Sequence, residues 1–64
     1  MNHPWLSLEP TMLLSIVNLK LRDYYGHIDT LCEEERIDRF QLEEVLKSIG
    51  YVYIGRVNQF KANE

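Results

Sequence analysis

Cys32, the one thiol of the chain, and the imidazoles His3 and His27 are the side chains most suited to covalent or acid–base chemistry. A cysteine nucleophile works as its thiolate, which forms where cations or a helix N-terminus lower the pKa. The residues following Cys32 are Glu33, Glu34 and Glu35, which oppose ionisation. Cys32 also continues an apolar pattern after Leu31, and free cysteine is among the most buried residue types. The sequence therefore supports a structural thiol. His27 lies just beyond the first helical segment, where exposure or an interaction with that helix's C-terminal end accounts for it. His3 belongs to the leading arm and to no pattern. Cysteine, histidine and carboxylate groups show no tight ligand spacing, so no metal is expected. Consecutive helical residues diverge by about 100°, so the three glutamates do not converge on one cation. No catalytic, cofactor-binding or metal-binding residue is expected, and the chain reads as a non-enzyme.

Binding chemistry has more support. Leu31, Cys32, Ile37, Leu42 and Val45 fall at the spacing of the buried positions of a helix-turn-helix, and a hairpin follows like a wing. A nucleic-acid reader of that shape offers Arg, Lys, Asn or Gln from its last helix to base edges and phosphates. Arg39, Gln41 and Lys47, with Arg56 on the hairpin loop, are the alternative nucleic-acid contacts. Glu43 and Glu44 oppose them, and Arg36 stands where the turn usually has glycine. Such spacing is also a compact way to pack three short helices, and fold does not imply function. The aromatic residues Tyr24, Tyr25, Tyr51, Tyr53 and Phe60 lack interleaved bases, so packing rather than base stacking is expected of them.

Three helices and a hairpin must position these groups. Residues 1–9 contain Pro4 and lack periodicity, which predicts an extended arm in which Trp5, Leu6 and Leu8 cap the core. Pro10 suits the first turn of a helix running to Tyr25 and stopped by Gly26. Met12, Leu13, Ile16, Val17, Leu21 and Tyr24 cover its apolar face, and Leu14, Leu19 and Tyr25 widen it beyond the usual stripe. Asp29 is expected to cap a second helix from Thr30 to Glu35, and Asp38 a third from Arg39 to Ile49, closed by Gly50. Phe40, Leu42, Val45, Leu46 and Ile49 form the third apolar face. Tyr51–Ile54 and Val57–Phe60 then flank Gly55-Arg56, a two-residue loop suited to a type II′ turn. In that register Tyr51 opposes Phe60, and Tyr53 opposes Asn58.

The expected architecture is a single domain over residues 1–64, mainly α in a small α+β fold. It comprises the arm at 1–9, three helices at 10–50, the hairpin at 51–60 and a tail at 61–64, in a helix-turn-helix or winged-helix-like arrangement. A chain of 64 residues buries only about 60% of its unfolded surface. One core of that size seldom supplies more than roughly 3–5 kcal/mol. The 45% apolar content argues against disorder. Residues 29–47 hold seven acids and three bases, within a chain of net charge −3. An acidic middle repels nucleic acid and anionic membrane. No apolar run approaches the ~20 residues of a membrane span. A lone thiol without an export signal suits the cytoplasm.

Several blocks resemble one known family: Met12-Leu13-Leu14-Ser15, Lys20-Leu21-Arg22-Asp23-Tyr24-Tyr25, Leu31-Cys32, Ser48-Ile49-Gly50-Tyr51 and Asn58-Gln59-Phe60. They are similar to the small bacterial proteins grouped as domain of unknown function 4250, over about Pro10 to Phe60. The resemblance implies a stand-alone bacterial protein without assigned activity, so no site residue is carried over. Gly55-Arg56-Val57 departs from the acidic turn expected in relatives. The expectation is a protein-interaction module that self-associates as a homodimer or binds another protein. Its surface would be Leu14, Asn18, Leu19 and Tyr25 on the first helix, where apolar width exceeds what so small a core can cover.

Overall fold

The computed structural model describes residues 3–63. Helix α1 spans Pro10–Asp23, α2 spans Ile28–Glu35 and α3 spans Arg39–Lys47; strands β1 (Tyr51–Ile54) and β2 (Gln59–Ala62) form an antiparallel hairpin. The fold is therefore the small, mainly helical α+β arrangement of three helices and a C-terminal hairpin. The arm is less extended than expected, because Pro4–Ser7 forms a 3₁₀ turn whose Trp5 N–H donates to His3 Nδ1 at 3.0 Å. Trp5 and Leu6 pack on the core, as expected of the arm. The first two residues of the arm and Glu64 of the tail lie outside the described residues.

Pro10 occupies the first turn of α1, where no N–H is required. Leu13, Val17 and Leu21 recur at four-residue steps and are buried. The remaining apolar residues divide. Leu14 and Tyr25 pack partly on the core, whereas Met12, Leu19 and Tyr24 are exposed. The helix ends at Asp23, two residues short of the expected Tyr25, and Gly26, expected to stop it, is not left-handed. The stop is tertiary. The Asn58 side-chain amide donates 2.9 Å hydrogen bonds to the carbonyls of both Leu21 and Tyr25, taking acceptors that a helix end otherwise leaves open.

Helix α2 begins earlier than expected, with His27 rather than Asp29 as its cap. His27 Nδ1 accepts from the Asp29 N–H at 3.0 Å. Starting at Ile28 places Ile28, Leu31 and Cys32 on one inward face, all buried. Arg36 closes α2 in the left-handed region, at φ 59° and ψ 45°. The position thus has the backbone that glycine would adopt freely, and an arginine bears it.

Asp38 caps α3 as expected, its carboxylate accepting from the Gln41 N–H at 3.1 Å. The helix ends at Lys47, two residues short of the expected Ile49, because its last turn tightens. Ile49 and Gly50 donate to the carbonyls three residues back, and Gly50 turns the chain at φ 83°. Leu42 and Leu46 are fully buried and Val45 and Ile49 half-buried, but Phe40 is 69% exposed. Phe40 lies two residues before Leu42, about 200° away around the helix.

The hairpin loop has four residues, Gly55 to Asn58, and the strands pair Tyr53 with Phe60 and Tyr51 with Ala62. The expected two-residue loop is excluded by Asn58, which is left-handed at φ 53° and spends its side chain on α1. Lys61 and Ala62 of the expected tail are strand residues. The register differs from expectation by two positions. Because side chains alternate with period two, that shift leaves Tyr51, Tyr53 and Phe60 on one face as expected, while Val57 and Asn58, expected in the second strand, lie in the loop. Phe60 still points inward and is the largest fully buried side chain, with the Tyr53 ring 5.6 Å away.

Candidate functional site

The expected interaction residues on α1 do not share one role. Asn18 is a structural clamp: its Oδ1 accepts from the Phe60 N–H at 2.8 Å, and its Nδ2 donates to the Phe60 carbonyl at 3.1 Å. One amide thereby pairs with β2 as a neighbouring strand would. Gln59 Nε2 adds a 3.0 Å bond to the Asn18 carbonyl. Tyr25 lies two residues beyond the end of α1 and donates its hydroxyl to Glu35 at 2.7 Å. The Glu35 acceptor and its negative charge, with burial, push the Tyr25 phenol above its ordinary value. Leu14, Asn18 and Leu19 line a groove with Gln59, Phe60 and Lys61 of β2. Only Leu19, 45% exposed, is open to solvent as a large apolar side chain, and Met12, at 55%, lies two helical turns away.

The four candidate nucleic-acid contacts are dispersed as well. Arg39 is committed internally, donating to Asp29 at 2.5 Å across the α2–α3 junction and approaching Glu43 at 3.5 Å. The guanidinium also stands 5.9 Å from the Tyr53 ring. Those acids hold its proton more firmly than usual. Gln41 and Lys47 are exposed but sit about 120° apart around α3. Arg56 is exposed on the hairpin loop. Glu43 and Glu44 stand with Phe40 and Lys47 along one stripe of α3, facing β1.

Cys32 is only 8% exposed, and burial pushes its thiol up to about 11; nearby acids add to the shift and Arg39 opposes it. At neutral pH it is a protonated core side chain. No cluster of three metal-ligating side chains occurs among the described residues, and none of their helices is long and apolar enough to cross a membrane.

Sequence reasoning missed the tertiary roles of Tyr53 and Asn58. Tyr53 donates its hydroxyl to Asn58 Oδ1 at 2.7 Å and accepts from the Ile28 N–H at 3.4 Å. Asn58 then reaches α1, so the pair joins the hairpin, the end of α1 and the start of α2. No local pattern marks such a junction. The only hint was a polar Asn inside an otherwise strand-like run.

The family model described as "Domain of unknown function (DUF4250)" matches residues 7–60. No curated protein and no solved structure matches the chain.

Proposed function

We propose that this chain, which belongs to the family of domain of unknown function 4250, is a non-enzymatic cytoplasmic protein-interaction module that self-associates through the outer side of α1. The observation that carries this reading is the exposure of Met12 and Leu19, seven residues apart on a helix whose inward face is already filled. Half-buried Ile16 lies between them. Two turns separate Met12 from Leu19, so the three form a continuous stripe on a helix surface. A second copy of the same stripe would remove both side chains from water.

The stripe is short relative to a standard interface, so the dimer is weak, micromolar or weaker. Sedimentation equilibrium over a wide concentration range tests it. The wild-type chain should shift from monomer to dimer, and Leu19→Glu should remain monomeric with an unchanged melting temperature. A wild type that stays monomeric at the highest concentration refutes self-association, as does a dimer that Leu19→Glu leaves intact.

One observation favours a second reading, nucleic-acid binding. Gln41, Lys47 and Arg56 are exposed and outside the ion pairs found among the described residues. Binding through them would weaken steeply with salt. Absence of duplex binding at low salt removes this alternative.

A further inference from the structure

The two outer edges of the hairpin are unlike. On β2, both backbone groups of Phe60 are held by the Asn18 amide. They therefore point away from β1, and the Tyr53–Phe60 pair is one that exchanges no backbone bonds. By ladder alternation the N–H and C=O groups of Tyr53, and of Tyr51 two residues earlier, also point away from their partner strand. On that side no side chain among the described residues stands in as Asn18 does for β2. A groove of about 260 Å³ runs there instead, between β1 and the stripe Phe40, Glu43, Glu44 and Lys47 of α3. Phe40, more than two-thirds exposed, forms its apolar wall.

We infer that this groove takes an extended, basic peptide segment of a partner protein, which adds as a third strand along β1. Strand addition uses the free backbone groups of Tyr51 and Tyr53 for pairing and leaves alternate side chains to choose the partner. Phe40 selects an apolar side chain. Glu44 is outside the ion pairs found among the described residues and Glu43 is shared with Arg39 at 3.5 Å; against Lys47, the one cation lining the groove, they select a positive one. The acidic excess of residues 29–47 draws the same charge from a distance. It also disfavours a second copy, which would bring like charge to like. This edge is separate from the stripe on α1, so the inference stands whether or not the chain dimerises.

The test uses the whole chain with an acetylated Lys-Thr-Val-Thr-Lys-Thr peptide, which presents Lys and Val on one face of a strand, and its Glu-for-Lys counterpart, followed by NMR and amide exchange. The basic peptide should shift the Tyr51 and Tyr53 amide signals and slow their exchange, while the acidic peptide does neither. Phe40→Ala, on an exposed side chain, should weaken binding by about fivefold or more. Glu44→Lys should weaken the basic peptide further while keeping the fold. Leu19→Glu, which tests the α1 dimer, should bind the peptide as the wild type does. The inference is overturned if neither amide responds, or if the two peptides bind equally. It is overturned too if the amides become protected with protein concentration alone, which would assign the edge to a second copy.

Discussion

Replacing Asn18 by alanine removes the clamp on β2 and asks what it contributes. Two hydrogen bonds are lost, at 2.8 and 3.1 Å, and a backbone N–H and C=O are left in a part-buried site. At about 0.5–1.5 kcal/mol each, the loss is roughly 1–3 kcal/mol. In a domain of this size that lowers the melting temperature by roughly 5–20 °C. Asn18→Asp is the more discriminating change. Its carboxylate still accepts from the Phe60 N–H but faces the Phe60 carbonyl with negative charge. Only the protonated acid restores the donor, so folding raises the pKa of the introduced carboxyl above the unfolded value of about 3.9. The folded state then binds more protons, and stability is fully present below the unfolded pKa and lost as pH rises through the folded one. Urea unfolding followed by circular dichroism at pH 3.5 and pH 7 measures both effects. The stability gap between Asn18→Asp and wild type should narrow at the lower pH, while that of Asn18→Ala should change less. If Asn18→Ala is as stable as wild type, or the Asp variant's gap does not depend on pH, the clamp does not stabilise the fold.

Leu46→Ala, at a fully buried position of α3, should cost about 2–5 kcal/mol in chemical denaturation and unfold much of the chain. Arg36→Gly relieves a left-handed backbone at φ 59° and should raise the melting temperature, by an amount matching up to about 1 kcal/mol. Cys32 should resist iodoacetamide at neutral pH until denaturant is added; rapid labelling of the folded chain would contradict its burial. Its proton is held to about 11 in the folded chain, against an ordinary value of 9.0. Its contribution to stability should therefore be complete below pH 9 and be lost as pH rises towards 11, an effect that Cys32→Ala abolishes in alkaline denaturation curves.

Local chemistry and periodicity determined much of this fold before any contact was known. Pro10 at the start of α1, Asp38 as the cap of α3, Gly50 at the turn into β1 and the four-residue steps of Leu13, Val17 and Leu21 are all short-range signals. They are legible because each depends on neighbours within one or two turns. The inward face of the hairpin was legible for the same reason, since alternation survives a two-residue change of register. The end of α1, the length of the hairpin loop and the role of Asn18 were decided elsewhere. Each depends on a side-chain amide meeting backbone groups 33 to 42 residues away in the chain, and no sequence window contains both partners. The candidate surface divides on the same line. Apolar width on α1 was readable from composition, but packing alone decided that Leu14 would turn towards the core and leave Met12, Leu19 and Phe40 in water. A residue type states what a side chain can bond, and the assembled chain determines which of those bonds are already made.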